Sequence, residues 1–367
     1  MTLLGGGADI YRTDDPAFGD AHCAATRESG LRTMLAVGPG RLPLPQQFRR
    51  IEDDSAQCDN ADIALTFERQ LEVSEDLIHR HNDILGRRTG ICLIMPVYNS
   101  DDMAASSAEI TTMSEAVANL RDRTGVLFTQ DGHRNGSIDL ARKLGVLGPF
   151  ALLSHSVDLT EADFKALTET GANIVHNPSA IMSVYGRCSA PELIEAGVTV
   201  ALGSDAGAPD RGFDMFRHMS QCMHYHRRHF RDPSYMPPGK VLEMATIDAP
   251  RALGLDSDLG SLETGKKADI VLVDMRKLHL WPPNMPVTRL AHFANAADVD
   301  TVIVDRKVFL RNRRPTQVDE TSILQQAATE LTEALRITGL EHLTIEPTDY
   351  WETARRNTEG FPARTRT

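Results

Sequence analysis

The fold class is predicted most directly by three short segments, Leu152-Leu-Ser-His155, Ile174-Val-His176-Asn-Pro-Ser179 and Val200-Ala-Leu-Gly-Ser-Asp205. Each contains an apolar run with the length of a buried strand, and a His or an Asp stands where that run ends. In folds that alternate strands and helices, the carboxyl ends of parallel strands meet at one mouth, where active sites lie. The segments therefore predict an α/β fold with one site that contains His155, His176 and Asp205.

The same alternation of apolar runs and helical periods extends on both sides of these segments. We predict six parallel strands, at Leu31–Val37, Ile91–Val97, Val126–Gln130, Ala151–Ser156, Asn173–His176 and Val198–Gly203. After Asp210 we predict two long helices, Asp214–Phe230 and Gly239–Leu253, then strands at Ala268–Asp274 and Val299–Phe309, a helix at Thr321–Ile337 and a loose tail, Arg355–Thr367. The small β unit and the last helix are thus additions to the main sheet.

Charge and cysteine content narrow the class of protein. The 39 Lys and Arg residues against 51 Asp and Glu give a formal net charge of -12, which argues against nucleic acid and anionic membrane surfaces as partners. Five scattered cysteines follow no disulfide or zinc-ribbon spacing. With neither a signal-peptide pattern nor a long uncharged apolar stretch, we expect a cytoplasmic protein.

Five segments in their order and spacing resemble the metal-dependent amidohydrolase superfamily, and within it the branch of atrazine and ethylammeline chlorohydrolases and related aminohydrolases. They are Leu147–His155, His176–Ser179, Pro191–Asp205, Pro238–Thr246 and Gly260–Asp269. The resemblance implies a distorted (β/α)8 barrel with a small appended β-sandwich. On this basis we expect residues 1–257 to form the barrel part, 258–315 the sandwich segment, and 316–367 the C-terminal helix and tail.

The resemblance also implies a reaction. In such enzymes a divalent metal, commonly zinc or iron, activates water to attack a ring carbon and expel amine, ammonia or chloride. By position, Asp205 is similar to the aspartate that touches metal and water, and His155 to the histidine that holds water or substrate. His176 and Ser179 are similar to residues that face the substrate.

Two departures from the family pattern bear on that reaction. The first-strand His-x-His motif is missing, so we expect an incomplete barrel of six strands. The strand-five motif His-x-x-Glu reads Gln130-Asp-Gly-His133, in which a neutral amide replaces a metal-binding imidazole. We assign His133 to the catalytic group and Gln130 to substrate binding, with Asp131 as a substitute carboxylate. Since Asp205 is the one secure metal ligand, we expect metal binding to be weak or absent.

Two groups of histidines match metal-binding motifs in their spacing along the sequence, but we do not expect either group to bind a metal. His79-Arg-His81 lies in a helical pattern, where residues two apart diverge and do not chelate one ion, so we expect a solvated face. On the helix that begins near Asp214, the group His218, Cys222, His226 and His229 runs beside a Met stripe. We expect the Met stripe to face the core and the His row to form a surface or interface edge.

Three functional hypotheses follow. The first is a hydrolase of C–N or C–Cl bonds on a small N-heterocycle, such as an amino- or chloro-substituted triazine or pyrimidine. The second is a non-catalytic, metal-free relative that acts as a ligand-binding or partner subunit. The third is a metal-free enzyme that uses His133, His155 and Asp205. We favour the first, with a small-molecule substrate and homo-oligomer formation at the uncovered sheet edge.

Overall fold

The computed structural model describes residues 2–4, 14–41, 48–52, 55–59, 66–180, 186–205, 212–346 and 351. The chain divides into two compact units, of which the first comprises residues 1–46 and 64–317 and the second residues 47–63 and 318–367. The domain boundaries expected from the resemblance stay a prediction. None of the described helices is long and apolar enough to span a bilayer.

A parallel sheet forms the frame of the first unit. In chain order the strands are β1 (Thr2–Leu4), β2 (Thr33–Val37), β3 (Phe48–Glu52), β4 (Ser55–Asp59), β5 (Thr89–Ile94), β6 (Phe128–Asp131), β7 (Ala151–Ser154), β8 (Asn173–His176), β9 (Val200–Leu202), β10 (Ile270–Val273), β11 (Val299–Val304), β12 (Lys307–Arg311) and β13 (Arg314–Pro315). The sheet has the order β1-β2-β5-β6-β7-β8-β9. Strands β2 and β5 to β9 confirm the six predicted strands and the α/β class. Strand β1 was not predicted, and it pairs with β2 at the edge that six strands would leave uncovered.

Helices alternate with the parallel strands. They are α1 (Pro16–Ser29), α2 (Phe67–His81), α3 (Ser100–Thr124), α4 (Ser137–Lys143), α5 (Glu161–Thr170), α6 (Ala190–Glu195), α7 (Met215–Phe230), α8 (Pro238–Ala245), α9 (Asp248–Ala252), α10 (Pro286–Phe293) and α11 (Glu320–Thr338). The prediction of one helix over Gly239–Leu253 was wrong, because Thr246 has non-helical angles and separates α8 from α9. In a continuous helix the ring of Pro250 would clash with the carbonyl of Thr246, whereas Pro250 lies in the first turn of α9.

Both faces of the parallel sheet are covered by apolar side chains. All five residues of β2 and all six of β5 are buried. Leu35 and Ile91 point into one apolar cluster, and Met34 and Cys92 point into another. Burial on both faces explains why these strands read as continuous apolar runs.

A second sheet of four antiparallel strands, β10-β11-β12-β13, follows the helical part. The predicted single strand Val299–Phe309 was wrong, because β11 and β12 form a hairpin in this region. The two turn residues Asp305 and Arg306 have φ angles of 49° and 69°. Two successive positive φ values are the signature of the tight turns that reverse antiparallel strands, and the Val-rich sequence around them concealed this turn.

The carboxylate of Asp163 joins two helix starts. Asp163 is fully buried and accepts hydrogen bonds from the backbone N–H groups of Gly136, Ile138 and Asp139 at 2.8–3.0 Å, at the start of α4. It also accepts from the backbone and hydroxyl of Thr160, both at 2.9 Å, in a capping box at the start of α5. One side chain therefore satisfies unpaired donors of two helices next to the strand ends.

Arg32 and Asp269 link the start of β2 to the antiparallel sheet. The Arg32 side chain is 1% exposed and donates to both carboxylate oxygens of Asp269, at 2.9 and 3.0 Å. Asp269 also accepts from the backbone N–H of Asp305 at 2.9 Å. Burial raises the pKa of the Asp269 carboxyl, but its hydrogen bonds outweigh burial and leave the pKa below its usual value. The last residue of the Gly260–Asp269 motif thus has a structural role.

The second unit contains the antiparallel hairpin β3-β4 and helix α11. Helix α11 confirms the helix predicted at Thr321–Ile337. Asp319 caps its start by accepting from the Ser322 N–H at 3.2 Å, and Gly339 ends it with φ 66°. The predicted loose tail, Arg355–Thr367, lies outside the described residues.

Candidate active site at the carboxyl ends of strands β6 to β9

Four neighbouring parallel strands present polar residues at their carboxyl ends. Asp131 ends β6, His155 follows β7, His176 ends β8 and Asp205 lies three residues after β9. Since β6, β7, β8 and β9 are consecutive neighbours in the sheet, these side chains lie at one end of it. The three segments that predicted the fold therefore also supply the site.

His155 is the centre of this group. Its Nε2 lies 3.0 Å from Oδ1 of Asp131 and 3.7 Å from Oδ2 of Asp205. Its Nδ1 lies 3.3 Å from the amide nitrogen of Asn177, which donates to Ser154 Oγ at 3.0 Å. With that amide donating to Nδ1, the imidazole carries its proton on Nε2, toward the two carboxylates. The His155 side chain is only 7% exposed, whereas Asp131 is open to solvent.

The backbone at two of these positions is strained. His155, the neighbouring Ser156 and Asp205 have φ angles of 68°, 53° and 63°, in the left-handed region that residues with a Cβ rarely adopt. Such conformations cost on the order of 1–3 kcal/mol each and occur often at functional sites. These left-handed conformations change the direction of the chain immediately after the strands, where His155 and Asp205 approach each other.

Asp131 is ionised at neutral pH. Neighbouring protein atoms desolvate its carboxyl group and raise its pKa, but hydrogen bonds from His155 and Ser154 and the charge of His155 outweigh that effect. The resulting pKa lies below the usual value for Asp. Asp131, which we named from the sequence as a substitute carboxylate, is thus an ionised group next to His155, and its role in catalysis stays a prediction.

Gln130 and His133 are buried beside this group. The Gln130 amide donates to the carbonyl of Pro96 at 2.8 Å, and its oxygen has no hydrogen-bond partner among the described residues. His133 is fully buried, and its Nδ1 lies 3.0 Å from Ser137 Oγ. Burial lowers the pKa of His133 to about 4, against the opposing effect of Asp163 and Asp131. Their roles in substrate binding and catalysis stay predictions.

The neutral His133 should make the protein sensitive to acid. Its pKa is about 4 when folded and about 6.5 when unfolded, so the unfolded chain binds more protons as the pH falls between these values. We expect a loss of about 3 kcal/mol of unfolding free energy from this residue between pH 6.5 and pH 4. Urea unfolding at several pH values should show a smaller acid loss in His133→Gln. His79→Gln, at an exposed position, should retain the full loss, and equal pH profiles in the two variants would contradict the assignment.

His176 and Ser179 are also buried. His176 is 1% exposed, and its Nε2 lies 3.2 Å from Nε2 of His226 on α7. Ser179 is 4% exposed. From the sequence we placed His226, in the row His218, Cys222, His226 and His229, at a surface or interface edge. That prediction was wrong for the first three, which are fully buried, and only His229 is exposed.

The other histidine pair behaves largely as expected. His79 is 67% exposed and lies 3.8 Å from Glu75 on the same helix. His81 is only 11% exposed, and its Nε2 contacts Asp20 at 2.6 Å. The two histidines contact different carboxylates on different sides of α2, so they do not form a chelating pair.

Whether a metal fits at Asp205 depends on how many donor atoms of neighbouring side chains converge there. Among the described residues, the three donors that converge within 4.8 Å of one another are those of His176, Cys222 and His226, and Asp205 is not among them. His155 and Asp131 near Asp205 form a hydrogen-bonded pair instead of a three-ligand set. The described residues around Asp205 therefore do not fit the metal that the family resemblance implies.

Comparisons with known proteins identify the relatives of this chain. The model of the amidohydrolase family matches residues 67–309. A 5-methylthioadenosine/S-adenosylhomocysteine deaminase of Acetivibrio thermocellus is 32% identical over 333 residues, which cover 88% of this chain and 72% of the relative. A deaminase of the same name from Syntrophobacter fumaroxidans is 36% identical over 185 residues, 50% of this chain. This second match spans only 42% of that relative's length.

Solved structures show the same fold. A mutant of atrazine chlorohydrolase TrzN from Arthrobacter aurescens TC1, complexed with zinc and atraton, superposes with a TM-score of 0.72 at 20% identity. The match covers 89% of this chain and 72% of that chain. At this identity the likeness concerns the fold alone. The family model and the long deaminase match together show that this chain belongs to the amidohydrolase family.

Proposed function

We propose that this chain is a hydrolase that removes the exocyclic amino group of an adenine-type nucleoside and releases ammonia. The observation that supports this proposal most is the position of His155 Nε2 between the carboxylates of Asp131 and Asp205. The match of this chain, over 333 residues, to a relative named as a 5-methylthioadenosine/S-adenosylhomocysteine deaminase suggests the substrate class. From the sequence we expected hydrolysis of a C–N or C–Cl bond, and the names of the relatives favour the C–N bond.

We assign the proton transfers of such a reaction to the residues of this site. The Asp205 carboxylate accepts a proton from a water molecule, and the water oxygen bonds to the ring carbon that carries the amino group. The proton then passes to the amino nitrogen, the C–N bond breaks, and ammonia leaves. His155 donates its Nε2–H toward the carboxylates and fixes their orientation, and the ionised Asp131 accepts that hydrogen bond at 3.0 Å.

The relatives bear on the leaving group and on the alternatives. Names that end in deaminase favour ammonia over chloride, and they favour a purine over the triazine or pyrimidine expected from the sequence. The triazine hydrolases among the solved structures share the fold at 18–20% identity. At this identity they give no argument for a triazine as the substrate of this chain. The non-catalytic alternative finds no support among these relatives. We retain the small-molecule substrate, the cytoplasmic location and homo-oligomer formation as proposals.

The test is ammonia release by the purified 367-residue chain from 5-methylthioadenosine, S-adenosylhomocysteine, 5'-deoxyadenosine and adenosine, with atrazine as the comparison compound. We expect ammonia from at least one of the nucleosides and neither ammonia nor chloride from atrazine. Each assay is run with and without added zinc, so that an absolute requirement for metal is measured separately. Chloride release from atrazine without nucleoside deamination would overturn the substrate assignment, and inactivity on all compounds would overturn the proposed function.

A further inference from the structure

A second group of side chains lies beside the candidate active site and has no part in the reaction above. It consists of His176 at the end of β8 and Cys222 and His226 on α7, each at most 1% exposed. Cys222 and His226 are four residues apart, so the helix places them on one face, directed at the strand end. One donor atom from each of the three residues lies within 4.8 Å of the other two.

The distances suit a tetrahedral ion. Two nitrogens bound to zinc at about 2.0 Å lie about 3.3 Å apart in tetrahedral geometry. Nε2 of His176 and Nε2 of His226 are 3.2 Å apart, with ring centroids separated by 5.1 Å. The two imidazoles therefore already have the separation of two ligands of one ion, and the Cys222 sulfur lies within 4.8 Å of one nitrogen of each imidazole.

The chemistry of the donors and the surrounding charge select the kind of ion. Two imidazoles and a thiolate are ligands for borderline-soft and soft metals, and they are poor ligands for calcium or magnesium. The nearby cation Arg187 is paired with Glu192, with Nη1 to Oε2 at 3.0 Å, which offsets its repulsion of a metal ion. A third protein ligand distinguishes this group from Asp205 and its neighbours.

We infer that His176, Cys222 and His226 bind one zinc-like divalent cation in a buried site that joins α7 to the end of strand β8. On binding, the Cys222 thiol loses its proton to solvent, and the thiolate sulfur and one nitrogen of each imidazole bond to the metal. One coordination position is left for water or a further ligand. The ligands of this site do not include the carboxylates of Asp131 and Asp205, and the site shares His176 with the strand-end group described above.

The experiment uses cobalt as the probe, because a thiolate bound to Co²⁺ gives a charge-transfer absorption that His and carboxylate ligands do not give. The full chain, treated with chelator under reducing conditions, is titrated with Co²⁺ and then with Zn²⁺. We expect one metal per chain, the thiolate band and the visible bands of tetrahedral cobalt, and displacement of cobalt by zinc. Absence of the thiolate band, or a stoichiometry far below one, would overturn the inference.

Variants identify the ligands and separate this site from the reaction. Cys222→Ser should remove the thiolate band and weaken zinc binding at least tenfold, and Cys92→Ser, at another buried cysteine, should change neither. Asp205→Asn should keep the band although it blocks deamination, so failure of one proposal does not imply failure of the other. If Cys222→Ser does not fold, His226→Gln serves as the second variant and should weaken zinc binding equally. A band that survives Cys222→Ser but is lost in Cys188→Ser would contradict the ligand assignment.

Discussion

Asp205→Asn is expected to reduce ammonia release by about a thousandfold, the effect typical of a lost general base. Asn has nearly the shape of Asp and tolerates the positive φ at this position, so the fold should be retained. It lacks the charge that accepts a proton from water. The measurement is kcat/KM on the nucleoside that the wild-type chain deaminates, together with the thermal unfolding midpoint.

The matched control for this variant is Asp158→Asn. Asp158 also has a positive φ, 48°, and like His155 it follows strand β7, but the ion pairs of the described residues do not join its carboxylate to His155. We expect Asp158→Asn to retain activity within a few fold. An Asp205→Asn chain that retains most of its activity would show that Asp131 or another group accepts the proton.

Asp163→Ala should lower the unfolding free energy by about 3–5 kcal/mol, because it removes a buried charge and leaves several buried donors unpaired. Asp163 accepts hydrogen bonds from the starts of both α4 and α5 and is fully buried. The measurement is the urea midpoint at pH 7. Glu169→Gln, at the exposed end of α5, should change the unfolding free energy by less than about 0.5 kcal/mol.

A loss below about 1 kcal/mol in Asp163→Ala would contradict this account. It would mean that water replaces the carboxylate at both helix starts. Asp163→Asn should give an intermediate loss, since the amide oxygen retains part of the hydrogen-bonding capacity without the charge.

The parallel sheet and the positions of His155 and Asp205 were predictable because strands buried on both faces have continuous apolar sequences. A run such as Leu152–Leu153 followed by a polar residue can be recognised as the end of a strand from the local sequence alone. Turns and helix breaks were less predictable. The β11-β12 turn uses Asp305 and Arg306, which carry no Gly or Asn signal, and the α8-α9 break depends on Pro250 four residues beyond the break.

The buried side of α7 could not be predicted from its own sequence. Met219 and Met223 are buried, as are His218, Cys222 and His226 beside them. A helix covered on more than one side has no single polar face, and amphipathic reasoning assumes one. The partner that keeps His226 buried, His176, lies 50 residues earlier in the chain, and only the folded structure brings the two together.

Because His155, Ser156 and Asp205 have positive φ angles, selection for stability and selection for activity should favour different residues at these positions in laboratory evolution. Glycine at any of these positions would relieve backbone strain, and at residue 156 it would also remove a hydroxyl that is buried without a partner among the described residues. A library selected for heat resistance alone should therefore accumulate glycine at all three positions. A library selected for turnover should accept glycine only at residue 156, because the proposed reaction uses the side chains at the other two positions.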